Sequence, residues 1–237
     1  MKGATVYLIP TVLADGATQC LPNYLLEAVK KCSHFFVENE RTARRYLKIL
    51  WKEMVIDDYT WCNIKEITPE VLTQFTQALQ QEKIVGIISE AGCPGVADPG
   101  QELVRYAQQY GAVVKPLVGP NSILLALMGS GLNGQQFQFV GYLPIETGER
   151  LKAIKGLENE SKSKGCTQIF IETPYRNNQL LEALVKTCHP QTHLCVAVDL
   201  TAATESIQTK TIQQWKGGLP QLHKRPAIFL MLATAMP

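Results

Sequence analysis

The 237-residue sequence contains no long apolar run. The longest, Ala227–Ala233, is far shorter than the roughly 20 residues that a membrane-spanning helix needs. The apolar stretch before Pro10 is too short for the core of a secretory signal peptide. The seven cysteines are odd in number and form no CxxC pair, which favours reduced thiols over a disulfide framework. We therefore expect a cytoplasmic protein with no membrane partner.

The signatures of several enzyme classes are also missing. No Gly-Lys-Ser/Thr run follows a glycine-rich loop, so a phosphate loop is not expected, and the absence of G-x-S-x-G argues against acyl transfer. Gly129–Gly134 has the form GxGxxG, but a helical pattern precedes it and a strand pattern follows it. A dinucleotide site needs the opposite order.

One short segment carries four residues of the types that bind zinc: Cys188, His189, His193 and Cys195. Pro190 breaks the helix that would bring both histidines to one face, and no second cysteine pair supports a site. We predict that this segment is a helix end followed by a strand start, and that the protein has no metal site.

Charge is almost balanced, with a formal net charge of +2, so only a local patch could indicate nucleic-acid binding. The helix predicted from Glu40 to Trp51 marks such a patch. Its cations recur at helical spacing on one face: Arg41, Arg44, Arg45, Lys48 and Lys52. The stripe predicts contacts with RNA phosphates, and a solvated helix face is the equal alternative.

The first half of the chain alternates short apolar strands with helical patterns. The strands are expected at Ala4–Ile9, Phe35–Val37, Ile84–Ile88 and Val113–Val118. This rhythm predicts a mostly parallel sheet covered by helices. It weakens at Gly129–Gln136, and the later strands cluster toward the end of the chain. We predict two α/β domains, 1–132 and 133–237, with a mixed sheet in the second.

Two loops follow strands and carry the strongest indications of a ligand. Ser89–Gly100 contains three glycines and two prolines directly after a buried strand. Ligands of open α/β sheets bind beyond the carboxyl ends of the strands, and glycines let backbone amides approach them. Val118–Ser122 repeats this placement, although it could also be only a helix cap. Glu38 and Glu172 lie at two other strand ends, where each could contact a ligand or only cap the following helix.

Several blocks of the chain, in this order, resemble the tetrapyrrole methylase family, and most closely its ribosomal RNA small-subunit (cytidine-2′-O)-methyltransferase branch. S-E-A-G-C-P and D-P-G within Ser89–Gly100 are similar to the branch's S-D-A-G-T-P and D-P-G. G-P-N-S at Gly119–Ser122, F-V-G-Y-L-P at Phe139–Pro144 and F-I-E-T-P-Y-R at Phe170–Arg176 also match. The resemblance covers nearly the whole chain.

The resemblance implies two α/β domains with S-adenosyl-L-methionine in the cleft between them, a homodimer, and methyl transfer to a ribose 2′-hydroxyl of 16S ribosomal RNA. No metal is implied. Candidates for the chemistry are Glu38, Glu172 and Arg176. The implied cofactor contacts are Pro10, Glu90, Ala91, Gly92, Val96, Asn121, Ser122, Thr173, Leu200 and Ala227.

The sequence also departs from the branch: its opening run keeps Pro10 but lacks the branch's Gly-Asn, and at three positions a charged residue of the branch is missing. Asn39 stands where the branch has Asp, and Val198 and Ala202 stand where it has Arg and Lys. The lost cations could have held RNA phosphate or acted on the nucleophile. Two alternatives therefore stay open: methylation of a small, tetrapyrrole-type molecule, and a protein that binds the cofactor without catalysis.

Overall fold

The computed structural model describes residues 3–233, which form two compact units that divide at Asn121 and Ser122. The first unit is built on a five-stranded parallel sheet of order β3-β2-β4-β1-β5. Its strands are β1 (Thr5–Leu8), β2 (His34–Val37), β3 (Thr60–Asn63), β4 (Ile84–Ile88) and β5 (Val113–Pro116). Its helices are α1 (Leu25–Val29), α2 (Glu40–Leu50), α3 (Pro69–Gln80) and α4 (Gly100–Tyr110), with 3-10 turns at Thr18–Cys20 and Ile56–Asp58.

Local chemistry explains where the helices of this unit begin and end. The Asn39 side chain accepts hydrogen bonds from the backbone amides of Arg41 and Thr42, so it caps α2 as an Asp would. Thr68 caps α3 through its hydroxyl, with Pro69 at the first helical position. α4 ends at Gly111, whose φ of 78° is the left-handed conformation that favours glycine.

Both faces of the first sheet are covered, as expected for parallel strands. Successive side chains point to opposite faces, so the neighbours Phe35 and Phe36 belong to two different apolar clusters. Phe36 packs edge-on against Phe75 of α3, whereas Phe35 stacks on Trp61 of β3. The double-sided burial fixes the strands and therefore the positions of the loops at their ends.

The second unit is built on a mixed sheet of order β6-β7-β10-β8-β9, in which β6 and β7 pair in parallel and the other pairs are antiparallel. The strands are β6 (Phe137–Tyr142), β7 (Thr167–Ile171), β8 (His193–Val198), β9 (Ser206–Thr211) and β10 (Ala227–Leu232). The helices are α5 (Ser122–Ser130), α6 (Thr147–Lys164), α7 (Asn177–Thr187) and α8 (Ile212–Trp215).

The predicted fold class, two α/β domains with a parallel and a mixed sheet, is confirmed. The short β3 and α8 were not predicted. The compact units divide before the predicted boundary at 132/133, because α5 packs on strands of the second sheet: Thr209 Oγ1 donates to the Ser130 carbonyl at 2.7 Å. None of the described helices is long and apolar enough to cross a membrane.

Candidate active site

The carboxyl ends of β1, β2 and β4 bring three predicted site residues to one edge of the first sheet. Pro10 follows β1, Glu38 follows β2 and Glu90 follows β4. The Glu90 amide donates a hydrogen bond to Glu38 Oε2 at 2.5 Å. The amide of Thr11 donates to the Gly92 carbonyl at 2.8 Å. Because the strands are parallel, residues far apart in sequence form one cluster here.

The loop Ser89–Gly100 is held in shape by its own polar groups. Asp98 accepts hydrogen bonds from the amides of Gly95 at 2.8 Å and Gly100 at 2.7 Å. Gly92 and Gly95 have φ values of 73° and 85°, a region that favours glycine. Among the described residues, no atom outside Gly95 and its two chain neighbours lies within 4 Å of the position that a Cβ of Gly95 would take. This open space beside an ordered backbone is suited to the close approach of a cofactor.

The second loop packs directly against the first. A Cβ added at Gly119 would stand 2.1 Å from Cβ of Pro10, so a side chain there cannot be accommodated without displacing the proline. The thiol of Cys93 points at the carbonyls of Gly119 and Pro120, at 3.5 and 3.4 Å. Asn121 and Ser122 follow at the start of α5, both half-buried. Within the first unit the structure therefore brings Pro10 and both predicted loops together.

Glu38 is the carboxylate of this edge that is best suited to accept a proton. Burial raises its pKa, and the neighbouring charges of Asp98 and Glu90 raise it further, against the lowering effect of the Glu90 amide. A carboxylate with a raised pKa is a stronger base once ionised. Its other oxygen has no hydrogen-bond partner among the described residues.

A cavity of about 340 Å³ opens beside this edge, wholly within the first unit. Its wall is formed by α2 and by the segments that follow β1 and β4. The polar and aromatic residues on it include Thr11, Asp15, Thr42, Arg45, Tyr46 and Glu90. The structure describes all of the predicted cofactor residues. Among these described residues, Glu90 lines this cavity, and the others do not.

The five cations predicted to contact RNA have different surroundings. Arg44 forms an ion pair with Glu40 at 2.7 Å, and its guanidinium lies over the Trp61 ring at 5.0 Å. The ammonium group of Lys48 donates to the carbonyls of Lys52 and Met54 beyond the end of α2.

The remaining three cations are exposed, and no ion pair involves them within the described residues: Arg41, Arg45 and Lys52. Lys52 lies beyond the last residue of α2. The cations thus do not form one uniform stripe, and Arg41 and Arg45 are its most available members.

In the second unit, the residues after β7 form a charge pair whose acid is buried and whose arginine is half-buried. Glu172 is 5% exposed, and its Oε1 accepts from Arg176 Nη2 at 2.7 Å and from the Thr173 amide at 2.6 Å. Burial raises the pKa of Glu172, but these contacts outweigh it and leave the pKa lowered. The pKa of Arg176 is raised by the same pair. Neither group is suited to take a proton at neutral pH, so we assign them to positioning rather than to base catalysis.

Three buried polar atoms of this segment have no hydrogen-bond partner in the described part of the chain: Glu172 Oε2, Arg176 Nε and Asn177 Oδ1. In the turn after β8, the same is true of Thr201 Oγ1. Buried polar groups are normally satisfied, so the segment after β7 is suited to a polar ligand. The half-buried Thr173 lies in it, and Leu200 and Ala227, both 7% exposed, follow β8 and begin β10.

A cation that the sequence motifs do not indicate, Arg225 before β10, contacts the turn after β8. Val198, where the branch has Arg, is buried at the end of β8. Arg225 donates to Asp199 through Nε at 2.8 Å and to the Thr204 carbonyl through Nη2 at 3.1 Å. It therefore supplies a guanidinium to the turn that holds Ala202, although the charge is paired.

The described residues contain no group of three or more His, Cys, Asp or Glu side chains that could hold a metal. Cys188 lies 3.6 Å from the Met231 sulfur, and the backbone amide of His189 donates to Glu158 at 2.7 Å. The segment forms the end of α7 and the start of β8, as predicted. That the purified protein binds no metal stays a prediction.

Relatives of known name match most of the chain. A ribosomal RNA small subunit methyltransferase I of Mesorhizobium japonicum is 32% identical over 208 residues, which is 88% of this chain and 67% of that protein. The chain belongs to the ribosomal RNA small subunit methyltransferase I family. A protein of the same name from Halalkalibacterium halodurans is 26% identical, over 89% of this chain and 69% of its own length. The chain thus spans about two thirds of the length of these relatives. No family model matches the chain.

Two solved structures share the fold of this family member. The methyltransferase CobJ superposes with a TM-score of 0.62 at 15% identity, covering 98% of this chain and 94% of the other. Uroporphyrin-III-C-methyltransferase from Thermus thermophilus superposes with a TM-score of 0.56 at 16% identity, covering 98% and 93%. The predicted resemblance to the tetrapyrrole methylases is confirmed, and at these identities the two superpositions establish the fold.

Sequence reasoning missed four residues that shape these sites. Thr11 and Thr42 line the cavity, Asp98 holds the glycine-rich loop, and Arg225 pairs with Asp199. The D-P-G run at the end of the loop was the available indication for Asp98, because Asp before Pro-Gly commonly accepts backbone amides in turns. Thr42 and Arg225 reach their partners only through tertiary packing, and no local pattern identifies them.

Proposed function

We propose that this chain transfers the methyl group of S-adenosyl-L-methionine to a ribose 2′-hydroxyl of small-subunit (16S) ribosomal RNA, in the cytoplasm and as a homodimer. The observation that carries the proposal is the 32% identity to a ribosomal RNA small subunit methyltransferase I over 88% of the chain. The fold and the loops at the strand ends support the same activity.

The residues present fit the proposed cofactor. The first unit offers the glycine-rich loop, with open space beside Gly95, and the second offers buried polar atoms without partners beside Thr173. In our proposal, the backbone of Ala91 and Gly92 and the residues Thr173, Leu200 and Ala227 hold the cofactor. Bound S-adenosylmethionine supplies an electrophilic methyl group, and no metal is needed for its transfer.

The remaining requirements are alignment of the acceptor and removal of its proton. We assign removal of the acceptor's proton to Glu38, because the pKa of Glu38 is raised and one of its oxygens accepts from the adjoining Glu90 amide. Asp98 keeps the loop in shape, and the Glu172–Arg176 pair positions the segment containing Thr173. Exposed Arg41 and Arg45 are assigned to RNA phosphate.

The test is methylation in vitro. Small subunits and naked 16S RNA from cells that lack the gene are incubated with the protein and isotopically labelled S-adenosylmethionine, and nucleosides are identified by mass spectrometry. We expect one labelled 2′-O-methylnucleoside per RNA molecule, and Glu38→Gln should lower the rate of its formation by about 10²-fold or more. Label in a small molecule, or in no acceptor, would contradict the proposal and favour one of the two alternatives. Light scattering tests the homodimer, for which we expect twice the 26.3 kDa chain mass.

A further inference from the structure

The cavity of the first unit has walls that are tied together independently of any ligand. The Tyr46 hydroxyl of α2 donates to the Pro10 carbonyl at 2.6 Å. The segment after β1 is joined to the loop after β4 by the Thr11 amide, which donates to Gly92. The volume of the cavity, about 340 Å³, lies in the range of small-ligand sites. The cavity is therefore a preformed feature of this unit.

Glu90 is held in place at both ends on the cavity wall. Its backbone amide donates to Glu38, and its Oε1 accepts from the Thr42 hydroxyl at 2.5 Å. Exposed glutamates are ordinarily mobile, so a residue whose backbone is fixed by one element and whose side chain is fixed by another keeps its carboxylate ready to accept hydrogen bonds. The exposed Asp15 supplies a second carboxylate on the same cavity.

Arg45 lies one helical turn after Thr42, so both side chains are on the same face of α2. Arg45, Asp15 and Glu90 all line the cavity, yet within the described residues Arg45 forms no ion pair with either acid. Guanidinium groups bind phosphate through several N–H donors. The cavity thus presents an anion site and hydrogen-bond acceptors together.

We propose that this cavity holds one nucleotide of the acceptor RNA, with Arg45 on its phosphate and the fixed Glu90 accepting from its ribose hydroxyl or exocyclic amine. Carboxylates accept hydrogen bonds from base amines such as that of cytosine. The inference rests on the proposed function for the identity of the acceptor. Thr42 is a positioning residue, since it acts through Glu90.

The experiment measures binding of cytidine 5′-monophosphate by calorimetry with saturating S-adenosylhomocysteine present. Arg45→Gln should weaken mononucleotide binding about tenfold and Thr42→Val about threefold, because the first removes a charged group and the second a positioning group. Lys31→Gln removes an equal charge from an exposed position outside the cavity and should change nothing. Inorganic phosphate should bind at least tenfold more weakly than the mononucleotide.

A second measurement separates the acceptor from the cofactor. The dissociation constant of S-adenosylhomocysteine should be the same for Arg45→Gln as for the wild type, and L-methionine should not displace the mononucleotide. Weaker binding of S-adenosylhomocysteine to Arg45→Gln, or displacement of the mononucleotide by methionine, would show that the cavity holds the amino-acid end of the cofactor. Either result would overturn the proposal. Unchanged mononucleotide binding in Arg45→Gln would overturn it as well. Methylation of 16S RNA by the wild type is measured separately, so its failure would refute the proposed function while leaving these binding results to decide the cavity.

Discussion

Gly119 and Pro10 lie so close together that a Cβ on the glycine would stand 2.1 Å from that of the proline. The two residues join the segment after β1 to the loop after β5. This contact requires glycine for space rather than for a left-handed backbone, because no positive φ is found at Gly119. It gives a direct way to disturb the proposed cofactor edge.

S-adenosylmethionine and S-adenosylhomocysteine should each raise the melting temperature, whereas NAD should not. At a hundred times its dissociation constant, a ligand adds about 2.7 kcal/mol to stability. Gly119→Ala should remove most of the effect by displacing Pro10, whereas Gly156→Ala, at an open position on α6, should retain it. Circular dichroism would check that both variants fold. A wild-type protein without a shift would refute the cofactor assignment.

The cations of α2 should divide into two groups when the salt dependence of RNA binding is measured. The double change Arg41→Ala and Arg45→Ala should flatten the slope of log affinity against log salt by about 1.4, because each phosphate that a cation neutralises accounts for about 0.7. Arg44→Ala should leave the slope nearly unchanged and lower the melting temperature, because Arg44 is paired with Glu40 and lies over Trp61. Equal slopes for the wild type and the double variant would show that Arg41 and Arg45 lie on a solvated helix face and do not bind RNA phosphate.

Methyl transfer should be lost as pH falls through the raised pKa of Glu38, because the protonated carboxyl cannot accept a proton. At neutral pH, Glu38→Gln should lower the single-turnover rate by about 10²-fold or more while retaining cofactor binding. The glutamine carbonyl can still accept from the Glu90 amide, so the loop should be preserved. Glu66→Gln at an exposed position serves as the control. A variant with more than a tenth of the wild-type rate would exclude Glu38 as the base.

The Glu172–Arg176 pair should stabilise the second unit in a pH-dependent way. The folded-state pKa of Glu172 is lowered from its usual 4.5, so its contribution is present above 4.5 and is lost as pH falls through the folded value. Glu172→Gln should cost on the order of 2 kcal/mol at pH 7, less than a fully buried pair because Arg176 is 30% exposed.

Urea denaturation at several pH values measures this effect. The stability difference between the wild type and Glu172→Gln should shrink below pH 4.5. The matched control is Glu149→Gln, which breaks an exposed pair with Lys152 and should cost less than about 0.5 kcal/mol. A difference that stays constant with pH would show that the cost arises from packing rather than from charge.

Chelators should leave the stability of the protein unchanged, and elemental analysis should find no stoichiometric zinc. Structural zinc supplies much of the folding free energy of the sites that contain it, so its removal would be evident. One tightly bound zinc per chain would overturn the expectation drawn from Pro190 and the absent second cysteine pair.

The sequence by itself determined the fold class, most of the helices and strands, and the family. Apolar runs without alternation identified the buried parallel strands, and Thr68 with Pro69 marked the start of α3, because these patterns depend on neighbouring residues alone. The short β3 escaped prediction because its four residues, Thr60–Asn63, include only one buried side chain. The first compact unit ends at Asn121, before the predicted boundary at 132/133, because α5 packs on the second sheet through long-range contacts.

Only the tertiary structure decided how the individual site residues act. Arg41 and Arg44 are alike in the sequence, yet Trp61 and Glu40 engage Arg44 and leave Arg41 exposed. Glu38 and Glu172 both follow strands, yet their pKa values move in opposite directions. Burial and then the nearby carboxylates raise the pKa of Glu38, whereas at Glu172 burial is outweighed by the Arg176 guanidinium and the Thr173 amide. Spacing along a chain fixes which residues reach a sheet edge, whereas charge and burial depend on residues that folding brings there from elsewhere.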